Sequence, residues 1–148
     1  MKTLKFEIEI NASVDKVYQT LIDKEGYAQW TKAFNAKSRF EGNWSKGSEM
    51  LFIGCNEDGS ESGMVSIIED NIPNSFISIM HLGLYKDGKK IMSGKDVDHW
   101  IGGLENYRFI DLNGKTTLEV EMDAVEDFQS YFNATFPKAL LLLKKICE

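Results

Sequence analysis

Two histidines, a tyrosine and a scatter of hydroxyls are the side chains of this sequence best equipped for chemistry. His81 lies in FISIMHLGLY, where alternation sets it on one face with Ile77, Ile79 and Tyr85, against Met80 and Leu82. Histidine titrates near neutrality, so His81 is a candidate general base or ligand hydrogen-bonding group. The plain alternative is a satisfied histidine in a sheet. His99 stands in DVDHWIGG beside Asp96 and Asp98. These are metal-ligand types, but a metal site needs ligands at a spacing that folds them inward, and neither HEXXH nor a cysteine pair accompanies them. The stretch reads as a solvated loop, and no metal or cofactor is expected. Trp100, followed by Gly102 and Gly103, can close over an apolar pocket or simply pack its loop onto the sheet. Tyr107 shares a strand face with Glu105 and Phe109, while Asn106 and Arg108 take the other face. If Tyr107 faces inward, its hydroxyl needs a buried partner or a ligand atom. Ser66, Ser78, Thr135 and the two cysteines complete the nucleophile types, and no nucleophile–base–orienter trio can be assembled.

The elements that must position these residues are legible. TLKFEIEI alternates as a half-buried strand, with Leu4, Phe6, Ile8 and Ile10 on one side. Ser13 is placed to cap a helix carrying Val14, Val17, Tyr18 and Leu21 at helical spacing. A second short helix, KEGYAQWTKAF, puts Tyr27, Trp30 and Phe34 on one stripe. From Ala36 the period becomes two, giving AKSRFEG, GSEMLFIGC, GMVSIIED, FISIMHLGLY, LENYRFID and KTTLEVEMD. Asp58-Gly59 and Asn113-Gly114 are two-residue hairpin turns, so the sheet of about seven strands is expected to be antiparallel. From Glu126 to Ile146 apolar residues recur every three or four positions, and Tyr131, Phe132, Thr135 and Phe136 offer a ligand-facing surface. The longest apolar run there is ALLLL, bounded by Lys138 and Lys144. A membrane span needs about twenty such residues. Pro137 lacks the N–H owed to the carbonyl of Asn133, which predicts a bend at that point.

The 148 residues make one domain, 1–148, by length. With 43% hydrophobic residues, nine Phe, five Tyr and three Trp, the chain has ample material for a core. A net charge of −6 argues against nucleic acid or an anionic bilayer as partner. The basic stretch KDGKKIMSGK reads as a solvated loop. No signal-like run opens the sequence, and Cys55 and Cys147 obey no metal or redox spacing, so the expectation is a cytoplasmic, reduced protein.

A strand, two short helices, a run of hairpin strands and one long terminal helix resemble the helix-grip domains of the START/Bet v 1-like superfamily. FEIEINASVDKVYQTLIDKEGYAQW, GLENYRFIDLNGKTTLEVEMD and YFNATFPKALLLLKKICE are similar to the opening, the penultimate hairpin and the closing helix of the branch related to the activator of heat-shock-protein-90 ATPase. The resemblance implies an α+β helix-grip fold with a curved antiparallel sheet. It also implies a small hydrophobic ligand held between sheet and terminal helix. It carries no shared catalytic set. The cavity candidates are His81, Trp100, Tyr107, Tyr131, Phe132, Thr135 and Phe136. A cavity enzyme of polyketide cyclase or dehydrase type would need at least two converging polar groups, such as His81 with Tyr107 or Asp96. A chaperone-associated interaction domain would need an exposed apolar patch instead. No protein partner is indicated directly.

Overall fold

The computed structural model describes all 148 residues. Eight strands form one antiparallel sheet: β1 (Lys2–Ile10), β2 (Arg39–Gly42), β3 (Glu49–Cys55), β4 (Glu61–Ile72), β5 (Phe76–Lys86), β6 (Lys89–Ile91), β7 (Leu104–Leu112) and β8 (Lys115–Ala124). Their order is β1-β8-β7-β5-β4-β3-β2, with β6 paired to β5 alone. Three helices accompany them: α1 (Val14–Ile22), α2 (Lys24–Trp30), which runs into a 3-10 turn, and α3 (Glu126–Cys147). This is the α+β architecture expected, with the sheet extended by a short strand.

The hairpins follow local chemistry. Asn113 and Gly114 both take positive φ, 53° and 90°, as a two-residue turn whose twist matches that of the strands requires. Asp87 and Gly88 do the same between β5 and β6. Part of KDGKKIMSGK is therefore strand, a correction to its reading as loop: the Asp-Gly signal outweighs the lysines, which sit on the exposed edge. Asp58-Gly59 is corrected in the opposite sense. Only Gly59 has positive φ, and the turn is a longer loop in which the Asn56 N–H donates to the Ser60 carbonyl.

Ser13 occupies the N-cap of α1, but its side chain makes no capping hydrogen bond. Asp23 does cap α2, accepting from the Gly26 N–H at 3.2 Å. Gly26 is needed where it stands, because a Cβ there would lie 2.1 Å from the Thr20 carbonyl oxygen. Its absence lets α1 and α2 fold tightly together. That contact buries Trp30, whose indole N–H donates to the Leu21 carbonyl at 3.1 Å.

α3 runs unbroken through Pro137 and packs on β1, α1, α2 and the 3-10 turn. Its buried stripe comprises Thr135, Phe136, Ala139, Leu140, Leu143 and Cys147. Phe128, at 53% exposure, and Tyr131, at 44%, fall outside it. The core gathers Ile10, Val17, Leu21 and Trp30 with Ile77, Ile79, Tyr107, Phe109, Leu118 and Val120 from the concave face of the sheet.

Candidate functional site

The concave face carries apolar side chains at most positions, and four of its polar residues meet in one place. Ser66 on β4 lies directly opposite His81 on β5, next to a shift of register between Val65 and Ser66. Such an irregularity re-aims side chains locally. The Ser66 Oγ sits 2.8 Å from His81 Nδ1. Across the other β5 neighbour, Glu105 pairs with Ile79, two residues from His81 and on the same face. That diagonal brings His81 Nε2 to 3.1 Å from Glu105 Oε1. Two residues further along β7, the Tyr107 hydroxyl donates to Glu105 Oε2. A continuous chain results: Ser66, His81, Glu105, Tyr107.

Its burial is graded. Ser66 is 0% exposed, Tyr107 1% and His81 8%, while the Glu105 side chain keeps 16%. By side chain, Glu105 keeps the most exposure of the four and His81 follows at 10%. Burial first, then the charge of Glu105 and its hydrogen bond, push the Tyr107 hydroxyl well above its usual range. Tyr27 on α2 is raised as well, by burial and next by the same carboxylate. Both phenols stay protonated, so Tyr107 is a donor. The simplest wiring follows. The carboxylate accepts from Tyr107 and from the Nε2–H of His81, and in that tautomer Nδ1 accepts from the Ser66 hydroxyl.

Aromatic rings enclose this chain. Trp30 packs edge-on to Tyr107, with centroids 6.3 Å apart, and Tyr27 packs edge-on to Trp30 at 5.7 Å. Tyr27 also touches Phe40, Trp44 and Phe52. On the α3 side, Phe136 stacks on Phe6 at 5.0 Å and meets Phe34 at 5.0 Å, and Phe132 joins them. The protein's own rings thus crowd the space between sheet and helix. Two shallow depressions lie elsewhere. One, of about 340 Å³, is lined mainly by polar residues of α1 and α2, among them Gln19, Asp23 and Glu25. The other, of about 250 Å³, lies among Thr3, Asn106, Glu121 and Asp123.

Of the seven residues singled out in the sequence, His81 and Tyr107 come together through Glu105. Thr135 and Phe136 are buried in α3, and Phe132 is half-buried against the core. Tyr131 is exposed, its hydroxyl donating to the Phe34 carbonyl at 3.3 Å. Trp100 is half-buried and turns its N–H to the Asp96 carbonyl at 2.8 Å, bracing its own loop. The loop is pinned instead by Val97, which is fully buried, and by the Gly102 N–H donating to the His81 carbonyl. Asp96, Asp98 and His99 are exposed, and no group of three or more His, Cys, Asp or Glu side chains converges anywhere. Both cysteines are free, and burial pushes the Cys147 thiol up. Sequence reasoning passed over Glu105 as a partner. The signal was a carboxylate two residues before Tyr107 on an otherwise apolar face.

Comparison with known proteins bears on the fold. No protein-family model matches the sequence, and no curated protein matches it. Solved structures do. The Aha1 dimer from Colwellia psychrerythraea superposes with a TM-score of 0.73 at 21% identity, covering 100% of this chain and 97% of that one. Protein Ms6760 from Mycobacterium smegmatis gives 0.71 at 14% identity, with coverages of 99% and 90%. CalU16 from Micromonospora echinospora gives 0.68 at 16% identity, with coverages of 97% and 73%. This chain has the helix-grip fold. At these identities the likeness is one of architecture, and the helix-grip frame positions the Ser66–Tyr107 chain without assigning it a task. No helix of the chain is long and apolar enough to cross a membrane.

Proposed function

We propose that this helix-grip protein binds a small, largely hydrophobic molecule on the concave face of its sheet, with Glu105, His81 and Tyr107 as the polar anchor. The observation that carries the reading is a four-residue polar chain set among aromatic rings with its carboxylate still accessible. A core serving stability alone gains little from such a chain, since desolvating a charge costs several kcal/mol that an apolar isostere avoids. Binding sites have the opposite demand: apolar walls with a few placed polar groups. The ligand would enter by displacing rings, and Phe132, half-buried between exposed Phe128 and buried Phe136, is the natural one to move. Native mass spectrometry of the chain isolated from cell extract tests the proposal. A retained small mass, lost on denaturation, is the expected result. A bare chain from every extract overturns it.

A second reading, self-association, is favoured by the exposed aromatic face of α3, where Phe128 and Tyr131 stand clear of the core. The Colwellia protein forms a dimer. Sedimentation that stays monomeric up to millimolar concentration would dismiss this alternative.

A further inference from the structure

Resting on that binding reading, we infer that the ligand is a small protonated amine on an aromatic or aliphatic body, its N–H donated to the Glu105 carboxylate. Donors and acceptors at the anchor are unequal. The Ser66 hydroxyl is spent on His81 Nδ1, and the His81 Nε2–H and Tyr107 O–H are both spent on Glu105. Within this four-residue chain no donor is left for a ligand carbonyl or carboxylate; the unpartnered buried indole N–H of Trp44 lies in the neighbouring ring cluster, against Tyr27. An ionised carboxylate accepts about four hydrogen bonds, and Glu105 receives only these two from the anchor. What the chain offers a ligand is acceptor capacity on its most accessible member, Glu105.

The charge is also unanswered. Arg39 pairs with Glu41 and Glu61, Lys46 with Asp70, Lys90 with Glu49, Arg108 with Glu121 and Lys144 with Glu148, whereas Glu105 has only the His81 imidazole. Its negative charge is felt by both neighbouring phenols. A carboxylate this enclosed gains more from an incoming cation than a surface one does, because water screens it less. The rings add to the preference. Tyr27, Trp30 and Tyr107 form one cluster of aromatic contacts beside Glu105, and their negative faces attract an ammonium while their area receives its apolar body. An anionic ligand meets repulsion from the Glu105 carboxylate there.

Three probes matched in shape separate the outcomes: phenethylammonium, 2-phenylethanol and 3-phenylpropionate, each titrated into the intact ¹⁵N-labelled chain at neutral pH. The expected result is that phenethylammonium shifts the Trp30 indole resonance and binds about tenfold or more tightly than the alcohol, with no binding of the carboxylate. Glu105→Gln should bring the ammonium down to the level of the alcohol. Should that variant fail to fold, the three-probe comparison on the unaltered chain stands alone. Alcohol or carboxylate binding as tightly as the ammonium overturns the cation inference and leaves the binding reading intact. Silence with all three probes overturns the binding reading itself.

Discussion

Replacing Tyr107 by Phe removes one oxygen from a fully buried ring and leaves its packing against Trp30 unchanged in volume. The lost interaction is the O–H donated to Glu105. A hydrogen bond to a charged acceptor contributes about 1.5–3 kcal/mol. Two features of the site place Tyr107→Phe toward the lower half of that range. Glu105 keeps its second partner, His81, and its remaining exposure lets water approach the vacated oxygen. No cavity beyond the hydroxyl is created, so the large cost of a core truncation does not arise. The expected loss is about 1.5–2 kcal/mol. With a urea dependence of about 2 kcal/mol per molar, the midpoint falls by roughly 0.8–1 M. Urea unfolding followed by tryptophan fluorescence at neutral pH reads it directly. The same substitution in a Glu105→Gln background should cost measurably less, because the two groups act on each other. A Tyr107→Phe midpoint within error of the parent, or an undiminished cost in the double variant, would refute the wiring of the buried chain.

Leu143→Ala, at a fully buried position of α3, should cost about 2–5 kcal/mol, and Leu142→Ala less, since Leu142 is only half-buried. Equal urea midpoints for the two variants would show the helix face to be wrongly assigned. Gly26→Ala should be strongly destabilising, because the new methyl meets the Thr20 carbonyl and neither backbone segment can give way; a melting temperature equal to the parent's would contradict the tight α1–α2 junction. Alkaline titration is the fourth test. Tyr27 and Tyr107 hold their protons in the fold above the ordinary phenol value of 10.0, so the unfolded chain binds fewer protons than the folded one there. These two phenols should add a decline in stability above about pH 10, and that decline should be shallower in Tyr107→Phe. A decline no shallower in that variant would argue against the burial of its hydroxyl.

Much of the frame could be read from local pattern. β1 alternates over its whole length, Asn113-Gly114 turns as Asn-Gly should, and α3 follows its three-and-four spacing straight through Pro137. Local pattern fails where the answer depends on what lies opposite. The stripe from Phe128 to Ile146 was visible, but not that its first turns stand clear of the core. His81, Tyr107 and the face shared with Glu105 were visible singly. Their meeting was not, because it depends on a cross-strand diagonal between β5 and β7, and Ser66 joins beside a shift of register that no spacing announces. Alternation grouped Tyr85 with His81, yet that same shift falls between them. The crowding of rings was equally beyond reach: periodicity says which rings turn inward, whereas how closely they meet depends on the volumes of Tyr27, Trp30, Phe34, Phe52 and Phe136 against the curvature of the sheet.

The imidazole nitrogens of His81 report on the whole account at once. A long-range ¹H–¹⁵N spectrum of the chain, titrated with the small-molecule fraction of a cell extract, should begin with a protonated Nε2 and an unprotonated Nδ1, and both signals should move as the fraction is added. An opposite tautomer at the outset, or His81 signals that hold still at every concentration, would contradict a ligand anchored on Glu105.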